Sequence, residues 1–144
     1  MTTPDAITVA RAYVDAANAG DIEAMAALTA PGFVHHSGAG DLDMDGVREG
    51  LAYYRAAFPD FRYDLEELLL VDGGRAVVAR WTMRGTHRGD FFGVEGTGRT
   101  FASPGLSIHR ISDGRIVEDW EYSDDIGQMR QLGFRLQPPE QSPA

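Results

Sequence analysis

Cysteine is absent from this sequence of 144 residues. Without thiols, the chain has no disulfide framework, no thiolate metal site and no cysteine nucleophile. Basic residues are also scarce, with 13 Lys and Arg against 22 Asp and Glu and a net charge of −9. They form no cluster along the chain. This charge balance argues against nucleic acid and against an anionic membrane as partners.

Long apolar runs are missing too, since no stretch approaches the roughly 20 residues that a membrane span needs. The first residues lack the basic start and apolar core of a signal peptide, so we expect a cytoplasmic protein. The composition, 43% hydrophobic and 24% charged, is that of an ordinary globular chain. We expect one domain over residues 1–136, followed by a disordered proline-rich tail over residues 137–144.

Three N-terminal segments have the spacing of amphipathic helices. Residues 4–18 form the first, with Thr3 as its cap and Pro4 at its first position. Asp21 caps a short second helix, and Asp45 caps a third. The first half of the chain is therefore predicted to be mainly helical.

Beyond residue 60 the spacing of apolar residues changes to two, which is typical of strands. Strands are predicted over residues 61–71, 75–87, 99–111 and 115–123, besides a short one over residues 33–36. The four later strands form an antiparallel meander, and with the helices they make an α+β domain. We expect the sheet to curve around the helices and leave a cone-shaped pocket for a small hydrophobic or aromatic ligand.

The predicted closing hairpin, residues 105–124, combines apolar residues with ionisable ones, among them His109, Asp119 and Glu121. Successive strand residues point to opposite faces, so some of these carboxylates point toward the covered face of the sheet. A carboxylate there is costly unless it is paired or used in chemistry. The hairpin is therefore the first candidate for a catalytic site.

The length of the hairpin loop decides which side chains share that covered face. A two-residue loop at residues 113–114 would turn Glu121 away from His109. A three-residue loop at residues 112–114 places the two on the same face, together with Ser107. Glycine in the third place of the loop suits the longer turn, so we favour the second arrangement.

Six short segments, spread over nearly the whole chain, carry a family resemblance. They are Tyr-Val-Asp-Ala-Ala-Asn-Ala-Gly-Asp (13–21), Ala-Pro-Gly-Phe-Val-His-His (30–36), Phe-Pro-Asp-Phe (58–61), Arg-Gly-Thr-His-Arg-Gly-Asp-Phe-Phe-Gly (84–93), Asp-Gly-Arg-Ile-Val-Glu-Asp-Trp (113–120) and Met-Arg-Gln-Leu-Gly (129–133). In this order and spacing they resemble the SnoaL-like polyketide cyclase family of the NTF2-like superfamily. The resemblance implies a cystatin-like α+β cone, in which N-terminal helices pack on a curved, mainly antiparallel sheet.

The resemblance also implies a pair of catalytic positions. In the family's cyclases a carboxylate on the last strand acts as acid or base beside a histidine on the preceding strand. The carboxylate corresponds to Glu121 here, and the position of the histidine is occupied by Ser107. Serine cannot exchange a proton near neutral pH as imidazole does, so His109 is the candidate to replace that histidine.

Several further residues are candidates for the site. Asp124 is a third catalytic candidate, with capping of the final short helix as the alternative. The predicted substrate-binding residues are Tyr13, His36, Trp81, Ser107, Asp119 and Trp120. The adjacent strand residues His35 and His36 face opposite ways and cannot readily chelate one ion together, so we expect no metal site.

We expect a cofactor-free enzyme of secondary metabolism that cyclises a polycyclic aromatic polyketide. Glu121 would remove a proton next to a carbonyl, while His109 or Ser107 supports the enolate or protonates the acceptor carbonyl. Two alternatives stay open: a polyketide hydroxylation component, alone or with a reductase partner, and a non-enzymatic module that binds small molecules. A homo-oligomer, dimer or tetramer, is expected through the outer face of the sheet.

Overall fold

The computed structural model describes residues 2–141. Its helices are α1 (Ala6–Ala19), α2 (Ile22–Ala27), α3 (Met44–Ala57) and α4 (Asp125–Gln131). Its strands are β1 (Thr29–Ser37), β2 (Gly40–Leu42), β3 (Arg62–Val71), β4 (Ala76–Thr86), β5 (Thr100–Ser112) and β6 (Arg115–Ser123). Within residues 2–141, no helix combines the length and the hydropathy needed to cross a membrane. The last three residues of the predicted tail lie outside the described residues, and the domain limit at residue 136 stays a prediction.

The sheet has six strands in the order β2-β1-β6-β5-β4-β3. The predicted antiparallel meander is present as β3 to β6. The sheet has two strands besides the meander, because β1, which includes the predicted short strand over residues 33–36, pairs in parallel with β6 and β2 pairs with β1. The sheet is therefore mixed, and side chains of β1 lie beside those of the last strand.

Helix α1 begins later than its sequence indicated. Asp5 caps it by accepting a hydrogen bond from the backbone N–H of Thr8 at 2.8 Å, so the helix starts at Ala6. The predicted cap Thr3 and the predicted first residue Pro4 precede the helix. A carboxylate cap three residues before a free N–H is as good as threonine, and the two sites were not distinguishable by spacing alone.

The other helix caps are aspartates as well. Asp43 caps α3 by accepting from the N–H of Gly46 at 2.9 Å, so the predicted cap Asp45 lies inside the first turn instead. Asp21 caps α2, and Asp124 caps α4. The predicted cap of α2 and the capping alternative for Asp124 are therefore confirmed.

The core lies between the helices and the inner face of the sheet. The inner face of β4 contributes four buried side chains, Val77, Ala79, Trp81 and Met83. Helix α1 presents Val9, Ala10 and Tyr13 to the sheet, in a cluster with Val77 and Ile116. A second cluster gathers the aromatic side chains around Phe58 and Phe91. The helices and the inner sheet face enclose the space where a ligand can bind.

The closing hairpin has the two-residue loop, so our preference for the three-residue loop was wrong. Ser112 pairs with Arg115, which leaves Asp113 and Gly114 as the loop. Their φ angles are 52° and 74°, in the left-handed region that aspartate and glycine tolerate. Two consecutive residues of this kind form a type I′ turn, which matches the twist of a hairpin.

A β-bulge just beyond this turn restores the predicted faces. The register shifts between Arg110 and Ile111, so Val117 is an extra residue on β6. One extra residue moves every later side chain of a strand to the opposite face. His109 and Glu121 therefore share the inner face, as predicted, although a bulge and not a longer loop places them there.

Candidate active site

A cavity of about 360 Å³ opens between the helices and the inner face of the sheet. Its volume lies within the range of small-molecule pockets. Its ionisable lining residues with inward or rim positions are Tyr13, His35, Tyr54, Tyr63, His109, Asp119, Glu121 and Asp125. No arginine is among the lining residues that the structure describes, and the sequence has no lysine. Within residues 2–141, no three His, Cys, Asp or Glu side chains are grouped so as to hold a metal ion.

Asp119 lies at the floor of this cavity, where only 2% of it is exposed. Parallel pairing of β1 with β6 places His35 beside it, and antiparallel pairing of β5 with β6 places His109 opposite it. Its Oδ1 lies 2.7 Å from Nδ1 of His35, and its Oδ2 lies 3.3 Å from Nδ1 of His109. One carboxylate therefore contacts imidazoles on both neighbouring strands.

These contacts determine the charge state of the group. Burial acts to raise the pKa of Asp119, but the contacts with His109 and His35 outweigh it and lower the pKa overall. Burial likewise acts to lower the pKa of His35, yet its hydrogen bond to Asp119 and the nearby carboxylate charges raise the pKa overall. Asp119 is therefore an anion at neutral pH, and its position between two imidazoles makes it a weak base for a substrate.

Glu121 lies two residues further along β6, in a different environment. The hydroxyl group of Tyr63 donates a hydrogen bond to its Oε1 at 3.0 Å. Burial raises the pKa of Glu121, against the lowering effects of His35 and Tyr63. The two carboxyl groups thus have pKa values shifted in opposite directions, which is typical of sites that divide acid and base roles.

His109, on the neighbouring strand β5, has ring nitrogens that are free to bond a ligand. It is 2% exposed, and neither ring nitrogen has a well-formed hydrogen bond among the described residues. The 3.3 Å approach to Asp119 is not aligned as a straight N–H···O bond. The ring of Tyr13 meets the imidazole edge-on, with centroids 5.6 Å apart. Because buried polar nitrogens are nearly always bonded, this imidazole on the cavity wall is suited to bond a ligand.

Ser107 has a structural partner in the cavity wall. It lies opposite Glu121 in the strand register and accepts a hydrogen bond from Nε1 of Trp81 at 3.1 Å. Both residues are buried, and both line the cavity. The serine at the position expected for a histidine therefore fixes the indole ring as one wall of the pocket.

Three predicted site residues lie away from the cavity. His36 and Trp120 point to the outer face, where their rings stack at 5.1 Å. The ring nitrogens of His36 contact Asp41 at 2.6 Å and Glu118 at 2.7 Å. Strand alternation is the physical reason, since a residue next to His35 or Asp119 must face the other way. Asp124 is engaged as the cap of α4 and does not line the cavity either.

Sequence reasoning missed two residues of the site, His35 and Tyr63. The register of β1 on β6 decides which of the two adjacent histidines faces inward, and the sequence carries no local signal for a parallel pairing so far along the chain. Tyr63, with the apolar residues Phe61 and Leu65, alternates with polar residues along the chain. That alternation could not show that its hydroxyl group reaches Glu121 on β6.

The geometry can be compared with known proteins. The model of the SnoaL-like polyketide cyclase family matches residues 7–132. The chain belongs to this family. The matched residues run from α1 to the end of α4, so they include the whole cavity wall. The predicted family and its α+β cone are confirmed.

The chain is also similar to individual proteins of known description. The aklanonic acid methyl ester cyclase DnrD of Streptomyces peucetius is 30% identical, over 93% of this chain and 94% of that protein. The crystal structure of IdmH, a candidate polyketide cyclase of Streptomyces antibioticus, is 34% identical, with a TM-score of 0.79 over 88% of this chain and 96% of that chain. AclR, a candidate hydroxylase of Streptomyces galilaeus, is 25% identical, with a TM-score of 0.78 over 88% of this chain and 93% of that chain.

Proposed function

We propose that this protein is a polyketide cyclase that closes a ring of a polycyclic aromatic polyketide by an intramolecular aldol step. The observation that carries the proposal is the shared cavity wall of Glu121 and His109. The first is a carboxyl group with a raised pKa, and the second is an imidazole with open nitrogens. Membership of a family that includes curated cyclases supports the same reaction.

The proposed reaction begins with a proton transfer to Glu121. Its carboxylate removes a proton from a carbon next to a carbonyl group, and the C–H electron pair forms an enolate. The enolate carbon attacks a second carbonyl carbon of the same molecule, and a C–C bond forms. The electron pair of that carbonyl moves to its oxygen, which takes a proton from His109 and becomes a hydroxyl group.

His109 is suited to be the acid because Asp119 lies beside it. The carboxylate of Asp119, 3.3 Å from Nδ1, orients the imidazole on the cavity wall. After the ring closes, Glu121 carries one extra proton and His109 lacks one. Transfer of that proton from Glu121 to His109 through water restores both groups.

The chain cannot form a lysine imine on the way to the same product. An imine with the substrate carbonyl needs a lysine, and the sequence has none. In the proposed reaction the carbonyl groups are activated by hydrogen bonds. Tyr13, whose ring contacts His109, is a further donor on that wall.

We propose further that the substrate is a neutral ester. The cavity lining carries the carboxyl groups of Asp119, Glu121 and Asp125 and no arginine. A free carboxylate would be repelled in this space, since like charges at close range cost several kcal/mol. The methyl ester is expected to bind at least about tenfold more tightly than the free acid, as measured by quenching of tryptophan fluorescence.

Incubation with the methyl ester under air and under nitrogen tests the proposed reaction. An aldol cyclisation is an isomerisation, so the product has the mass of the substrate and forms equally well without oxygen. Hydroxylation is the second candidate, favoured by Ser107 at the histidine position and by the similarity to AclR. It would add one oxygen atom to the product and would stop under nitrogen, which would refute the cyclase proposal.

The outer face of the sheet supports a proposal about assembly. Large apolar side chains are exposed there, with Leu69, Leu106 and Tyr122 exposed by 46%, 38% and 58%. A patch of this kind commonly marks an interface between proteins. We therefore propose a homodimer through this face, in the cytoplasm. Light scattering should give the mass of a dimer for the wild type and of a monomer for Leu106→Arg, and a monomeric wild type would refute it.

A further inference from the structure

One polar side chain outside the cavity is linked through Tyr63 to the proposed base. Asn18, in the last turn of α1, forms two hydrogen bonds with the backbone of Tyr63. The hydroxyl group of the same tyrosine bonds Glu121. We propose that Asn18 is a positioning residue, which holds the hydroxyl group of Tyr63 against the catalytic carboxylate. This inference rests on the proposed role of Glu121 as the base.

The two bonds of Asn18 compensate for a missing strand. β3 is the last strand of the sheet, so the backbone groups along its free edge have no neighbouring strand to bond. The Nδ2 group of Asn18 donates to the carbonyl oxygen of Tyr63 at 2.9 Å, and its Oδ1 accepts from the N–H at 2.7 Å. One amide thus satisfies both backbone groups of the residue whose side chain reaches the site.

Asn18 is itself held in place by a second helix. The guanidinium group of Arg55, on α3, donates to the carbonyl oxygens of Ala17 and Asn18. It thereby satisfies two of the free carbonyl groups at the end of α1. The ends of α1 and α3 and the edge strand are therefore joined at Asn18.

The hydrogen bond between Tyr63 and Glu121 depends closely on the position of the tyrosine side chain. Its ring packs edge-on against Phe61 and Trp81, at centroid distances of 5.1 and 4.8 Å. Its hydroxyl group meets Oε1 of Glu121 at 3.0 Å, and a hydrogen bond weakens steeply when either distance or angle departs from its optimum. A small shift of the backbone of β3 would therefore change the ionisation of Glu121 from a distance.

Asn18→Ala tests the proposal, with Asp21→Ala as the matched control. Asp21 caps α2 three residues further along, so its replacement loosens the same region, but its carboxylate bonds the N–H of Ala24 and not Tyr63. For Asn18→Ala we expect the acid limb of the pH profile of kcat/KM to move upward by about half a unit. We also expect kcat to fall several-fold with KM changed by less than about twofold. Asp21→Ala should lower the melting temperature and leave the acid limb unchanged.

A double-mutant cycle with Tyr63→Phe shows whether the effect passes through the tyrosine. In the Tyr63→Phe background, Asn18→Ala should produce no further shift of the acid limb, because the bond that it positions is already gone. An equal further shift in that background, or an unmoved limb in the single variant, would overturn the proposal.

A titration that needs no turnover separates this inference from the proposed function. The carboxyl carbons of ¹³C-labelled glutamate report ionisation by NMR, and the signal absent from Glu121→Gln identifies Glu121. Its midpoint should rise in Asn18→Ala and stay unchanged in Asp21→Ala. If Glu121→Gln kept full turnover, the proposed function would fail, while this titration would still decide the link from Asn18 to Glu121.

Discussion

Replacement of Tyr63 by phenylalanine removes one hydroxyl group and leaves its ring in place. The bond that is lost is the 3.0 Å hydrogen bond to Oε1 of Glu121. The packing of the ring against Phe61 and Trp81 does not involve the hydroxyl group. The variant should therefore fold, with the ionisation of Glu121 as the main property that changes.

The size of the change in the pKa of Glu121 follows from the free energy of the lost hydrogen bond. A hydrogen bond to a charged group contributes about 1.5–3 kcal/mol, and one pKa unit corresponds to about 1.4 kcal/mol. The hydroxyl group of Tyr63 favours the ionised form of Glu121, so its loss raises the pKa by at most about two units. Glu121 borders an open cavity, where water replaces part of the lost bond, so we expect a rise of about one unit.

The assay is the pH dependence of kcat/KM for ring closure. Because the acid limb reports ionisation of the base in the free enzyme, it should move to higher pH by about one unit in Tyr63→Phe. Tyr53→Phe is the matched control, since that hydroxyl group bonds the backbone of Phe92 outside the cavity lining. An acid limb that stays in place or moves to lower pH in Tyr63→Phe would refute the proposed effect of the bond on Glu121.

Three further outcomes are expected. His109→Gln should lower kcat by about 10²-fold or more, as loss of a general acid does, whereas His36→Gln on the outer face should keep it within about twofold. The raised pKa of His35 means that its pair with Asp119 stabilises the fold below the unfolded pKa of histidine and loses this effect as pH rises through the folded pKa. The free energy of urea unfolding of His35→Gln should therefore be lower than that of the wild type at about pH 6. In alkali the two free energies should converge. Deletion of Val117 removes the bulge and should abolish turnover, and an active deletion variant would contradict the register described above.

The closing hairpin shows how far the sequence can predict a site. Alternation along β5 and β6 was enough to identify His109 and Glu121 as residues that could share a face. The sequence could not specify how they come to share it, because the bulge at Val117 has no local signature comparable to that of a turn. The favoured loop was wrong and the predicted face was right, since an extra residue in the loop and an extra residue in the strand have the same effect on later side chains.

The inward histidine illustrates a different limit. His35 and His36 have equal local propensities, and the choice between them depends on the pairing of β1 with β6, which lies more than 80 residues away in sequence. Trp120 faces outward because it lies between the inward residues Asp119 and Glu121 on the same strand. The predicted caps of α1 and α3 each lie two residues from the observed caps. Capping side chains at neighbouring positions compete for the same backbone N–H groups, so spacing alone does not choose between them. Local pattern thus predicted the elements, and long-range pairing decided which side chains enter the cavity.

Single-turnover ring closure by Glu121→Gln is the most direct test of the proposed mechanism. The amide keeps the shape of the side chain and can still bond Tyr63, but it cannot take a proton. Glu118→Gln is the control, because that carboxylate lies on the outer face of the same strand. We predict a loss of at least about 10³-fold in the rate of C–C bond formation for Glu121→Gln and less than about twofold for Glu118→Gln. Ring closure by Glu121→Gln at the wild-type rate would contradict the assignment of Glu121 as the base.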